Sequence, residues 1–177
     1  MKIKTITLHQ FNELEGKARE KALQKHSDIN VNYEWWDYTY DDAARIGLKI
    51  SEFDPDHYCK GKLQISLCEV CDKIKTEYGE QCDTYKLADE YLTKWAELVK
   101  KYSYGVNIDQ VAEDKEYEFD QEADEMEEDF LKDLCEEYRI ILRKEYEYLT
   151  SEEAIVETLE SNGYYFDEDG NIETPDA

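Results

Sequence analysis

Three groupings in this chain have residue types that could do chemistry. Cys68 and Cys71 form C-x-x-C, with Cys59 and Cys82 on either side. Four thiolates suit tetrahedral zinc, but the strong sequence signal is a pair of close C-x-x-C knuckles. Here eight residues separate Cys59 from Cys68 and ten separate Cys71 from Cys82. Structural thiols without a metal are therefore expected. The second grouping is YYFDEDGNIE, residues 164–173, which grazes a calcium loop. Aligning Gly170 with the invariant glycine puts Asp167, Asp169, Asn171 and Glu173 at ligand positions. The first ligand would then be Tyr165 and the twelfth Asp176, with no exiting helix, so calcium is not expected. The third, Asp54 and Asp56 with Lys60 and Lys62, has the residue types of a metal nuclease site. In a chain with 45 Asp and Glu such coincidences carry no specificity.

His9, His26 and His57 form no recognisable pair with Cys or Ser, and Gly-rich phosphate loops, G-x-S-x-G and H-E-x-x-H are all missing. The chain reads as a non-enzyme with no cofactor and no metal. What it does carry in quantity is negative charge, minus 24 in 177 residues with a pI near 4.4. Nucleic acid and anionic membranes would be repelled, so any partner should be basic. With 15 Tyr, 3 Trp and 5 Phe, the sequence is too aromatic for a solvating tail and reads as folded.

The charge concentrates in residues 111–150, VAEDKEYEFDQEADEMEEDFLKDLCEEYRIILRKEYEYLT, which contain neither Pro nor Gly. Phe119, Ala123, Met126, Phe130, Leu134, Tyr138, Ile141 and Tyr148, with a lapse at Glu145, step by three and four and predict one buried stripe along a helix. Between Glu113 and Glu137 fourteen carboxylates face two lysines, Lys115 and Lys132. Over a helix of roughly 37 Å that is about one net negative charge per 3 Å, close to the ~3.4 Å spacing of phosphates in a nucleic-acid strand. Solubility alone needs far fewer.

Around this helix the patterning predicts an α+β chain, mainly helical, with a small antiparallel sheet. A strand over 2–8 is followed by Asn12 as the cap of a helix over 13–26. An aromatic helix over 30–47 places Tyr33, Trp36, Tyr40, Ala43 and Ala44 on one face and ends at Gly47. Strands over 48–53 and 58–67 flank the turn Asp54-Pro55-Asp56, giving with the first strand a sheet of about three strands. Helices follow over 68–80 and 84–104, the second with Leu87, Tyr91, Trp95, Leu98 and Tyr102 inward. Ser151 caps a helix over 152–161, and Asp169-Gly170 turn a terminal hairpin. The chain is expected to be one domain, 1–177, with 103–110 as the place where a 1–104 core and a 111–177 part could divide. The start, MKIKTITLHQF, lacks a signal-peptide apolar region, and no run approaches a membrane span, so a cytoplasmic location is expected and the cysteines should stay reduced.

KAREKAL (17–23), NVNYEWWDYTYDDA (30–43) and above all EYEYLTSEEAIVETLESNGYYFDEDGNIE (145–173) resemble a widespread group of small acidic proteins of bacteriophages and prophages, sometimes labelled antitoxin-like. The resemblance touches about half of the chain and carries over no catalytic residues. It implies a setting: a phage or mobile element in the bacterial cytoplasm.

Charge and setting together predict a non-catalytic counter-defence inhibitor, an acidic nucleic-acid mimic for the basic groove of a CRISPR effector or restriction enzyme. Its contacts would be Glu122, Asp124, Glu125, Glu127, Glu128, Asp129 and Asp133. The alternative is an antitoxin-like protein that neutralises a basic toxin through its apolar helix face. Self-pairing as a coiled coil fits less well, because the stripe drifts between steps of three and four. The imperfect calcium loop generates a direct prediction. Millimolar calcium should move the melting temperature no more than magnesium at equal ionic strength does, and a calcium-specific rise in differential scanning fluorimetry would overturn the reading of that loop.

Overall fold

The computed structural model describes residues 7–104, 107–111 and 115–173. In chain order its elements are β1 (His9–Gln10), α1 (Gly16–Lys25), α2 (Asp37–Ile46), β2 (Leu48–Asp54), β3 (Tyr58–Leu63), α3 (Leu67–Glu77), α4 (Asp83–Tyr102), β4 (Ser103–Tyr104), β5 (Asn107–Val111), α5 (Glu116–Leu149), α6 (Glu152–Ser161), β6 (Tyr165–Phe166) and β7 (Ile172–Glu173). The class is α+β, mainly helical, and all strand pairing is antiparallel. The chain forms two compact units, one from Met1–Trp35 with Lys144–Ala177 and the other from Trp36–Arg143. The 103–110 stretch lies within the second unit, where β4 pairs with β5.

The first unit joins the two ends of the chain. Phe11, Leu14, Ala22, Ile155, Leu159 and Phe166 form its core, with the Phe11 and Phe166 rings edge to face at 5.8 Å. β1 pairs with β6, and β6 with β7, in a three-stranded sheet. Ser151 caps α6, its hydroxyl accepting from the Ala154 amide at 3.3 Å. Buried Asn30 donates from Nδ2 to the Leu149 carbonyl at 3.0 Å, satisfying one of the orphan acceptors at the end of α5, and accepts from the Thr158 hydroxyl at 2.7 Å.

The second unit packs α2, α3, α4 and α5 around Ile46, Leu48, Val70, Ile74, Phe130 and Leu134. α2 stops at Gly47, whose φ of 91° no β-branched or bulky residue adopts readily and whose missing Cβ would lie 2.6 Å from the Ile65 side chain. The hairpin turn between β2 and β3 is held by Asp54, whose Oδ1 accepts from the amides of Asp56 (2.9 Å) and His57 (3.1 Å). A polar knot ties three helices: the hydroxyls of Tyr78 and Tyr138 both donate to Asp42 Oδ2, and Arg45 pairs with Asp42 Oδ1. Burial, first of all, pushes the Tyr78 hydroxyl up to about 12 and raises that of Tyr138 further, so both remain donors.

Several expectations are corrected. The strand over 2–8 falls largely on residues outside the described ones, and the N-terminal strand that is described, β1, pairs with β6 and not with the β2–β3 hairpin. Asn12 does not cap a helix. It sits in a 3-10 turn, Phe11–Glu13, closed by Glu13 accepting from the Gln10 amide at 2.8 Å, and α1 starts only at Gly16. The aromatic helix begins at Asp37, so Tyr33 lies before it and is exposed, while Trp35, off the expected face, is buried. β3 ends at Leu63 because the Ser66–Glu69 capping box starts α3 instead. The 103–110 stretch, expected as a possible division, contributes in part to the β4–β5 pairing.

On α5 the expected stripe is inward through Phe130, Leu134 and Tyr138, then slips: Cys135 and Leu142 are buried, whereas Ile141 and Tyr148 are exposed. The buried positions Phe130, Leu134, Tyr138 and Leu142 are four residues apart, more than the 3.6 of one helical turn, so the buried line rotates away from the expected one. Leu134, fully buried at the centre of this packing, is the sensitive position. Leu134→Ala should cost about 2–5 kcal/mol in urea denaturation, whereas Ile141→Ala, on the exposed side, should cost well under about 1 kcal/mol.

Candidate acidic interface on the long helix

All seven carboxylates expected to form the interface lie on the part of α5 that belongs to the second unit. The inward pull of Phe130, Leu134 and Tyr138 against α3 and α4 turns the opposite side of the helix to solvent. Asp124, Glu125, Glu127, Glu128, Asp129 and Asp133 are all exposed. No lysine or arginine among the described residues makes an ion pair with any of these six. Unpaired carboxylates at helical spacing raise a dense negative field that an external cation would relieve.

Glu122 differs from the other six. Lys101 Nζ lies 2.6 and 2.8 Å from its two oxygens, and the Tyr102 hydroxyl donates to Oε1 at 2.7 Å. These two donors from the end of α4, Lys101 first, hold the Glu122 carboxyl below the usual carboxylate range. It is paired within the unit, between the end of α4 and α5. Nothing in the local sequence distinguishes Glu122 from its neighbours; only the register between the two helices does.

Further along α5 Glu136 and Glu137 are balanced by Arg139 and Arg143, and the charge is used within the unit. Arg139 chelates Glu136 through Nε (2.8 Å) and Nη2 (2.6 Å) and donates from Nη1 to the Pro55 carbonyl at 2.7 Å, while Arg143 lies 3.9 Å from Asp56. The run of unpaired carboxylates therefore ends near Asp133. At its inner margin a cleft of about 100 Å³ opens between α4 and α5, with Tyr91, Met126 and Phe130 behind and Glu90, Asp129 and Asp133 in front. Tyr91 was expected inward, but Glu90 and the cleft itself were not apparent from sequence, since they depend on which face of α4 meets α5.

The other groupings resolve differently. Among the described residues no three His, Cys, Asp or Glu side chains converge as a metal site. Cys68 is exposed and Cys71 buried on the same helix, with burial pushing the Cys71 thiol up to about 12. Cys59 instead meets Cys135, and that contact, with burial, raises the Cys59 thiol. In the calcium-like loop the would-be ligands are taken by α1: Lys21 Nζ donates to Asp169 Oδ1 at 2.6 Å and Lys25 Nζ to Asn171 Oδ1 at 2.5 Å. Asp167 accepts from the amides of Asp169 and Asn171, both at 2.9 Å. Gly170, at φ 76°, lets the loop press against α1 so closely that a Cβ would fall 2.5 Å from the Ala22 nitrogen. Asp176, the expected twelfth ligand, lies outside the described residues.

No family model, curated protein or solved structure matches the chain. Its class rests on its own geometry: a mainly helical α+β protein that displays one row of unpaired carboxylates. No helix among the described residues is long and apolar enough to cross a membrane.

The lysine-held loop has a pH signature. Lys21 is the first cause holding the Asp169 carboxyl below its ordinary value near 3.8. A carboxylate depressed in the folded state adds stability above its unfolded pKa and loses it as pH falls through the folded one. The melting-temperature gap between the native chain and Asp169→Asn should be present at pH 6–7 and close below about pH 4. A gap unchanged at pH 3 would remove Lys21–Asp169 as its cause.

Proposed function

We propose that this chain is a phage- or prophage-borne, non-catalytic inhibitor that occupies the nucleic-acid groove of a basic bacterial defence protein in the cytoplasm. The observation that carries the reading is the row Asp124, Glu125, Glu127, Glu128, Asp129 and Asp133, exposed and without an internal cation among the described residues. Spacing of negative charge along the helix is close to that of a phosphate backbone. A groove lined with Lys and Arg to hold phosphates would be steered to such a row over long range and would pair with it at short range. Rigid presentation favours the same reading, because the packed Phe130–Leu134–Tyr138 stripe orders the carboxylates before binding and so reduces the entropy lost on association.

The antitoxin-like alternative needs an apolar helix face for its partner. Phe130, Leu134 and Tyr138 are committed to the chain's own core, which leaves that alternative the exposed Tyr117, Ile141, Tyr146 and Tyr148 of this helix. We therefore rank it second.

The test is competition. The chain should displace a labelled nucleic acid from its target among purified CRISPR effectors and restriction enzymes, with an inhibition constant that weakens steeply between 50 and 300 mM salt as expected for charge pairing (about tenfold or more). Reversing Asp124, Glu125, Glu127 and Glu128 to Lys should weaken inhibition by roughly 30-fold or more while leaving the far-ultraviolet circular dichroism unchanged. Undiminished inhibition by that folded variant would sink the proposal.

A further inference from the structure

The cleft between α4 and α5 has a chemistry of its own. Tyr91 and Phe130, both buried, have ring centroids 5.0 Å apart, and Tyr91 is backed by Trp95 in a stacked arrangement at 6.2 Å. Exposed Glu90, Asp129 and Asp133 stand in front of them. Its volume of about 100 Å³ is far below the ~300 Å³ at which small-molecule pockets begin, so the cleft by itself does not enclose a nucleotide or organic cofactor. It is also below the ~150 Å³ of an apolar cavity that holds one benzene, which leaves room for a single side-chain head group.

We propose that this cleft receives one arginine side chain of a basic protein partner, its guanidinium across Asp129 and Asp133 and its stem against Tyr91 and Phe130. Asp129 and Asp133 are four residues apart, so their Cβ atoms lie about 5–6 Å from each other on one helix face, a span that a planar guanidinium bridges. Glu90 supplies a third carboxylate from the opposite helix. Arginine fits better than lysine because its guanidinium is flat, weakly hydrated and able to stack on aromatic faces while its edges pair with carboxylates. Lys94, which also lines the cleft and makes no ion pair among the described residues, is the built-in competitor for the same carboxylates. The inference rests on the proposed inhibitor reading, and places an anchoring pocket at the Asp129–Asp133 end of the row of carboxylates that steers the partner.

The experiment is an amide-resolved NMR titration of the full chain with Nα-acetyl-arginine amide, run beside the neutral isostere Nα-acetyl-citrulline amide. Saturable shifts confined to residues around 90–94 and 126–133, with a dissociation constant on the order of millimolar, are expected for arginine alone. Asp129→Asn with Asp133→Asn should weaken the arginine site by about tenfold or more, and Lys94→Gln should tighten it. Equal response to citrulline, or shifts that spread along the whole acidic helix without saturating, would overturn the site. The two proposals separate cleanly. The lysine-reversed variant at Asp124, Glu125, Glu127 and Glu128 keeps the cleft, so arginine binding by a variant that still inhibits fully would leave the cleft standing and end the mimic. Unaltered arginine binding by the Asp129 and Asp133 double variant would end the cleft whatever the inhibition assay reads.

Discussion

The second unit depends on a balance along α5 between apolar packing on one side and charge repulsion on the other. Between Glu116 and Glu137 roughly a dozen like-charged pairs stand three or four residues apart, each costing a few tenths of a kcal/mol at the surface. Burying Phe130, Leu134, Tyr138 and Leu142 returns about 1.5–3 kcal/mol for each side chain. Packing wins, but not by so much that its loss could be absorbed. The helix is held in place by its inner face so that its outer face can remain unneutralised.

Three basic residues near this helix are placed so that they do not spoil that face. Lys101 is drawn to Glu122, where the end of α4 meets α5, and Arg139 and Arg143 reach back to the β2–β3 turn. Each of these cations satisfies an internal contact away from the row that runs from Asp124 to Asp133. Exposed ion pairs of this kind add little to stability. Their consequence is spatial, since they decide which carboxylates stay free. The Tyr78–Tyr138–Asp42 knot serves the same end from inside, by fixing the rotation of α5 about its own axis through a buried directional contact that apolar packing alone does not supply.

The first unit follows a different logic. Its sheet and core join residues near the start of the chain to residues near the end, and its sharpest turn, at Gly170, is shaped by the close approach of α1. A loop with the residue types of a cation site is here a salt-bridged clasp. The same carboxylates serve either role; a lysine from α1 within 2.6 Å of Asp169 selects the clasp.

Sequence by itself determined whatever is local. Helical periodicity identified α4, α5 and α6, and Ser151 marked the start of α6 to the residue, because capping and amphipathic spacing act within one or two turns. Gly47 and Asp54 likewise announced a helix end and a turn. Tertiary structure alone decided what depends on contacts distant in sequence. Strand partners of one or two residues carry too little pattern to name each other, so the pairing of β1 with β6 was illegible. So were the capture of Glu122 by Lys101, the slip of the stripe from Ile141 to Leu142, and the cleft at Tyr91 and Phe130. Each rests on the register of one helix against another, and a carboxylate that will be neutralised has the same neighbours in sequence as one that will stay free.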